Sequence, residues 1–114
     1  DLKGSFQRIL LDAPCSGLGT LARNPDARWR VNQKQVDQLV ELQKQLLEAM
    51  LPLLGERGRI VYSTCTVHKK ENIDQIDGFL LRHPELKLVR YEQRWPHPDK
   101  LGDGFFAAVM DLIS

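Results

Sequence analysis

The feature that most constrains this sequence is a change of hydrophobic period, made and then reversed by residue 63. Phe6 to Leu11 (FQRILL) is a short apolar run stopped by Asp12-Ala13-Pro14, the pattern of a buried strand ending at a turn. Further on, Val36, Leu39, Val40, Leu46, Leu47, Met50 and Leu54 recur at three- and four-residue spacings, the apolar stripe of an amphipathic helix. Gly58 to Ser63 (GRIVYS) then returns to a β-branched and aromatic run, opened by glycine and closed by hydroxyl residues. Strand, long helix, strand is the grammar of a parallel sheet with a crossover helix.

The punctuation agrees. Asn32 is placed as an N-cap with Gln35 at the third helical position, an approximate capping box, and Val31 and Val36 are spaced for a hydrophobic staple. Pro52 and Gly55 close the helix, with Pro52 favouring a kink or an early end. Ile73, Ile76, Phe79 and Leu80 give a second helix, with Glu71 suited to its first turn and Arg82-His83-Pro84 marking its end. Leu86 to Tyr91 (LKLVRY) alternates as a half-buried strand. A polar turn follows through Trp95-Pro96-His97-Pro98, and Phe105 to Ile113 (FFAAVMDLI) is a last strand. These two strands are expected to pair antiparallel at one edge. Four strands and two long helices are thin for a doubly wound sheet, which is usually built from two halves. The nearly all-apolar first strand has the composition of a central strand, yet this sequence offers it a neighbour on one side only. The expectation is an α/β fold in which residues 1–114 form the second half of a doubly wound, Rossmann-like domain.

Composition narrows the class. With 114 residues, 42% hydrophobic and a net charge of +1, the chain fits one globular domain and not a disordered segment. No apolar run approaches the ~20 residues of a membrane-spanning helix. The weak global charge means that an anionic partner must be met by a local patch. Two cysteines make no disulfide framework, so both thiols are expected to be reduced and the compartment cytoplasmic. The start at Asp1, without an initiator methionine or a signal peptide, reads as a cut from a longer chain.

In open α/β sheets, ligands sit beyond the carboxyl ends of the strands. The first strand ends at Asp12-Ala13-Pro14-Cys15-Ser16-Gly17 and the second at Ser63-Thr64-Cys65-Thr66, so parallel pairing brings both thiols and Asp12 to one edge. Most free cysteines are small buried hydrophobes. Two at matching strand ends, beside a carboxylate and hydroxyls, argue for chemistry.

Four segments in order carry a resemblance over nearly the whole chain: Asp-Ala-Pro-Cys-Ser-Gly at 12–17, Arg-Asn-Pro-Asp-Ala-Arg-Trp at 23–29, Tyr-Ser-Thr-Cys-Thr-Val at 62–67 with Glu71-Asn72, and Gly-Asp-Gly-Phe-Phe at 102–106. Together they resemble the Sun (Fmu) family of RNA cytosine-5 methyltransferases, especially the bacterial small-subunit rRNA enzymes. Thr66 departs from the family's usual serine but keeps the hydroxyl. The resemblance implies an S-adenosylmethionine-dependent enzyme forming 5-methylcytosine in rRNA. Cys65 is then the nucleophile that adds to cytosine carbon 6, and Asp12 the carboxyl at N3. Cys15, the second thiol, is associated with release of the product. It also implies that Asp12 and Pro14 lie against the cofactor. The family's glycine-rich cofactor loop and the N-terminal RNA-binding domain of the rRNA enzymes have no counterpart here. The isolated chain is therefore expected to be inactive.

Arg23, Arg28, Arg30 and Lys34 cluster around Trp29. A short charge run of this kind is often only a solvated helix start. The functional reading is phosphate contact beside a stacking surface, suited to RNA with a splayed-out base. Gly102 to Phe106 is a bend into the last strand or a lip of the base pocket. Cys65-x-x-His68 is half of a zinc spacing with no second pair, so no metal is expected. His83 suits a helix C-terminus. A truncated non-enzymatic module, binding RNA or a protein partner through the basic segment and the unpaired first strand, is the rival class. The isolated chain is itself expected to self-associate through that exposed strand. A thiol oxidoreductase is a second rival, disfavoured by the absence of Cys-x-x-Cys.

Overall fold

The computed structural model describes residues 3–15, 33–66, 68–94 and 104–113. Strand β1 (Phe6–Asp12) is followed by helix α1 (Gln33–Met50), β2 (Leu54–Thr64), α2 (Ile73–Arg82), β3 (Leu86–Arg94) and β4 (Phe105–Leu112). Short 3-10 turns at Leu51–Leu53 and Lys69–Glu71 precede β2 and α2. The four strands form one mixed sheet in the order β1-β2-β4-β3. β1 and β2 run parallel, whereas β4 is antiparallel to both β2 and β3. The parallel pair and the antiparallel edge hairpin both follow the sequence expectation.

The period of two sorts each strand into two faces. One face carries Leu11 from β1, Ile60 and Tyr62 from β2, and Phe106, Ala108 and Met110 from β4, all buried. Against it pack Leu47 of α1 and Ile76 and Phe79 of α2, which completes a continuous core. Tyr62 and Phe106 meet edge to face at 6.5 Å between centroids, the geometry that aromatic quadrupoles favour. The opposite face carries Leu10, Val61 and Val109. Leu10 is 70% exposed there.

Several sequence boundaries need correction. α1 ends at Met50 and does not run on to Leu54. Pro52 has no N–H to give the helix, so the chain tightens into a 3-10 turn and Leu54 becomes the first residue of β2. β2 therefore begins four residues before Gly58, across a bulge. The pairs Phe6↔Leu54 and Arg8↔Arg59 are two steps apart on β1 but five on β2. Arg57 absorbs the excess at φ 56°, in the left-handed region. Glu71 does not sit in the first turn of α2. It lies fully buried in the 3-10 turn before it. β3 runs on from Tyr91 to Arg94, with a register shift between Leu88 and Arg90. The expected capping residues Val31 and Asn32, and the Trp95–Pro98 turn, lie outside the described residues.

Candidate active site

Parallel pairing of β1 and β2 places their carboxyl ends side by side, with Asp12 opposite Ser63. The ladder continues one step further, as the Ala13 N–H donates to the Ser63 carbonyl at 2.8 Å. Each chain then advances two residues to a cysteine. The two sulfurs, fifty positions apart in sequence, stand 3.1 Å from each other. Neither is a buried structural thiol: Cys15 is partly exposed and Cys65 exposed. Asp12 is exposed at the same edge, and one of its carboxylate oxygens accepts the Ser63 hydroxyl at 3.0 Å.

This setting opposes ionisation of Cys65. Desolvation is the largest cause, followed by the hydrogen bond and then the charge of Cys15. A backbone hydrogen bond works the other way, and the negative charge of Asp12 adds a smaller push upward. The thiol is raised to about 11. Tyr62, two strand positions inward from Thr64, is also raised, by burial first and then by the charges of Glu71 and Cys15. At neutral pH, Cys65 is therefore a protonated, surface-accessible thiol touching a second thiol and lying near a carboxylate.

Behind the cysteines lies a buried polar network. Asn72 accepts the Thr64 hydroxyl at 2.6 Å and donates through Nδ2 to the Thr66 carbonyl at 2.9 Å, so it grips both neighbours of Cys65. The same Nδ2 reaches Gln93 Oε1 on β3 at 2.9 Å. The Tyr62 hydroxyl donates to the Glu71 carbonyl at 2.8 Å. Gln43 of α1 donates to the Pro14 carbonyl at 2.8 Å and to Glu71 Oε1 at 3.0 Å. The Thr66 hydroxyl closes on Glu71 Oε2 at 3.4 Å. No buried side-chain nitrogen or oxygen among the described residues lacks a partner, as a low-dielectric interior requires.

The structure thus brings together Asp12, Pro14, Cys15 and Cys65 from the sequence reading. Arg23, Arg28, Trp29 and Arg30 lie outside the described residues, as do Gly102 and Asp103. Phe105 and Phe106 are resolved at the start of β4, the former exposed and the latter buried. Gln43 was missed, although one signal for it existed. Val36, Val40, Leu47 and Met50 continue the stripe of α1, and Gln43 is the polar residue that interrupts it. Its complete burial shows that the position belongs to the core. His68 caps the 3-10 turn by accepting the Lys70 N–H at Nδ1, and no group of three or more metal-binding side chains occurs among the described residues. His83 does end α2, and its Nε2 pairs with Glu48 of α1 at 2.6 Å. No helix among them is long and apolar enough to cross a membrane.

Comparison with known proteins supplies the context for this geometry. The chain is 44% identical over 110 residues to ribosomal RNA small subunit methyltransferase B of Yersinia pseudotuberculosis, covering 90% of this chain and 25% of that protein. The Yersinia pestis protein matches with the same figures, so the chain spans about a quarter of the length of these curated relatives. Among solved structures, PH0851 superposes with a TM-score of 0.88 at 36% identity, over 95% of this chain and 27% of that one. NSun6 from Pyrococcus horikoshii, solved with SFG, superposes with a TM-score of 0.78 at 28% identity, over 93% of this chain and 30% of that one. These likenesses bear out the α/β, Rossmann-like methyltransferase fold expected from the sequence. Residues 1–111 match the family described as 16S rRNA methyltransferase RsmB/F, and with its paired strand-end cysteines and mixed sheet the chain belongs to that family.

Proposed function

We propose that the protein carrying this chain methylates carbon 5 of a cytosine in small-subunit rRNA, with S-adenosylmethionine as methyl donor. The observation that carries the reading is the pair of sulfurs 3.1 Å apart beside Asp12, at the ends of neighbouring parallel strands. Family membership and the rRNA methyltransferase relatives support it. Carbon 5 of cytosine is a poor nucleophile, and a thiol adding at carbon 6 turns it into the reactive end of an enamine. Cys65, exposed just past the carboxyl end of β2, performs that addition. Its raised pKa requires that its proton leave as the carbon–sulfur bond forms, since the thiolate is scarce at neutral pH. Asp12 takes up the proton that leaves Cys65 and delivers it to N3, which draws electrons into the ring as the thiol adds.

The donor supplies an electrophilic methyl group. The residues present suit it, because Asp12 is an exposed carboxylate with only one oxygen engaged by Ser63 among the described residues, a match for an ammonium group. Asp12 and Pro14 are the contacts we assign to that side. Once carbon 5 is methylated, Cys15, acting as its thiolate, takes the carbon-5 proton. The electrons left behind restore the 5,6 double bond and expel the Cys65 sulfur. Arg23, Arg28 and Arg30, near Trp29 in the sequence, are the residues we assign to phosphate contact.

The test uses labelled RNA and a denaturing gel in the full-length protein. Cys65→Ala should abolish methylation and give no covalent adduct. Cys15→Ala should accumulate an adduct, because addition proceeds while release stalls. Neutralising the three arginines should weaken RNA retention in either background. An adduct from Cys65→Ala and none from Cys15→Ala would reverse the two roles.

A further inference from the structure

We infer that Gln43 and Glu71 are positioning residues that fix the spacing of the two reacting thiols, acting as a buried clamp between the Cys15 loop and the Cys65 loop. The inference rests on the reading of those thiols as the reacting pair.

The case is topological. Beyond the last ladder bond, Ala13 N–H to Ser63 carbonyl, no backbone pairing among the described residues joins the two strand ends. Both cysteines lie past that point, on segments with surface exposure. Something else must hold them in contact. The Gln43 side-chain amide reaches the carbonyl of Pro14, the residue before Cys15, at 2.8 Å. The same nitrogen donates to Glu71 Oε1 at 3.0 Å, and Glu71 Oε2 accepts from Thr66, the residue after Cys65, at 3.4 Å. The two loops are thereby joined through side chains of α1 and of the 3-10 turn. The Glu71 backbone is anchored as well, since its carbonyl accepts the Tyr62 hydroxyl.

Burial makes the clamp stiff. Gln43 and Glu71 are both fully buried. Gln43 is held from its other end, its Oε1 accepting from Gln75 at 3.4 Å while Gln75 also donates to the Val40 carbonyl at 2.8 Å. An amide with both ends engaged has no free rotamer to relax into. A buried polar pair between the apolar stripe of α1, which Gln43 interrupts, and the 3-10 turn that holds Glu71 contributes little to stability that well-packed leucines would not. Its placement makes sense where geometry matters more than packing, because a misplacement of about 1 Å at reacting atoms lowers a rate by roughly 10²-fold.

The experiment compares Gln43→Leu and Glu71→Gln in the full-length protein, under conditions where circular dichroism shows the native fold. Two readouts are taken. The first is methylation of RNA, resolved into kcat and KM. The second is closure of the Cys15–Cys65 disulfide by diamide, which takes up the two thiol hydrogens and their electrons as the S–S bond forms, and needs no methyl transfer. Gln43→Leu should lower kcat roughly 10²-fold with KM for RNA little changed. Disulfide closure should slow in parallel. Glu71→Gln, near-isosteric and keeping one acceptor, should fall between this variant and the natural protein on both scales, and it decides the matter if Gln43→Leu does not fold. Natural closure rates in folded variants would overturn the clamp, as would a loss of kcat with closure unchanged. Full methylation by Cys65→Ala would instead overturn the assignment of the reacting thiol, while the closure rates would still report whether the clamp sets the spacing.

Discussion

Cys65 is asked to be a nucleophile from a setting that keeps its proton on. Desolvation and the neighbouring Cys15 raise the thiol to about 11, so little thiolate exists at pH 7. Such a thiol is quiet toward adventitious electrophiles and reacts when a bound substrate lets its proton leave. Alkylation of Cys65 by iodoacetamide should accordingly be slow at neutral pH and rise steeply toward pH 11. Cys15→Ala removes the hydrogen bond and the adjacent thiol charge but leaves the desolvation, so the midpoint should move down part of the way toward an ordinary thiol. Mass-resolved initial rates across pH give the comparison. An unmoved midpoint would show that the 3.1 Å contact does not govern the ionisation. The two cysteines and Asp12 were legible in the sequence because topology alone brings strand ends together. Gln43 and Glu71 were not, since a glutamine in a stripe or an acidic residue near a helix start has an ordinary structural reading that no spacing rule removes.

At the scale of elements, the sheet could be read from period and punctuation, but the start of β2 could not. Leu54 matches the helical stripe of α1 and also the first rung opposite Phe6, and only the tertiary pairing chooses between them. Pro52 tips the balance by ending the helix, and the bulge then lets Leu54–Gly58 fold back into register. Gly58 is the residue on which that bulge depends. A β-carbon there would lie 2.5 Å from Leu54 Cδ1 and 2.8 Å from the Gly55 carbonyl oxygen, and the second of these is backbone that cannot swing aside. Gly58→Ala should therefore destabilise the fold by about 1–3 kcal/mol, the usual range for overpacking a tight site. Urea denaturation would show a lower midpoint at constant slope. A midpoint equal to that of the unsubstituted protein would mean that the bulge repacks without strain. Further along β2, Arg59 and Asp111 of β4 form a two-point ion pair at 2.6 and 3.0 Å. The guanidinium holds the Asp111 carboxyl below its ordinary value, so this contribution is present at neutral pH and lost as pH falls through that lowered range.

The whole molecule has two unlike sides. One face of the sheet is closed by α1 and α2, whereas across the other face Leu10, Val61 and Val109 form an apolar strip that no described element covers. β1, at the end of the strand order, also has a neighbour on one side only among the described residues. A strand edge with a free row of N–H and C=O groups is a template for pairing, and Leu10, 70% exposed, adds an apolar incentive beside it. Little on β1 opposes this: Arg8 is the strand's one basic residue, and no proline or glycine interrupts Phe6–Asp12. The 114-residue chain taken by itself should therefore self-associate, most simply as a twofold pair in which the same surface of each copy meets the other. Sedimentation at several concentrations should show a mass rising above 13.1 kDa toward twice that value. Leu10→Lys places a charge on the exposed strip beside the edge and should return the chain to the single mass without unfolding it, since the side chain is largely in solvent already. A mass of 13.1 kDa at every concentration would remove the pairing prediction, and association untouched by Leu10→Lys would move the contact away from β1.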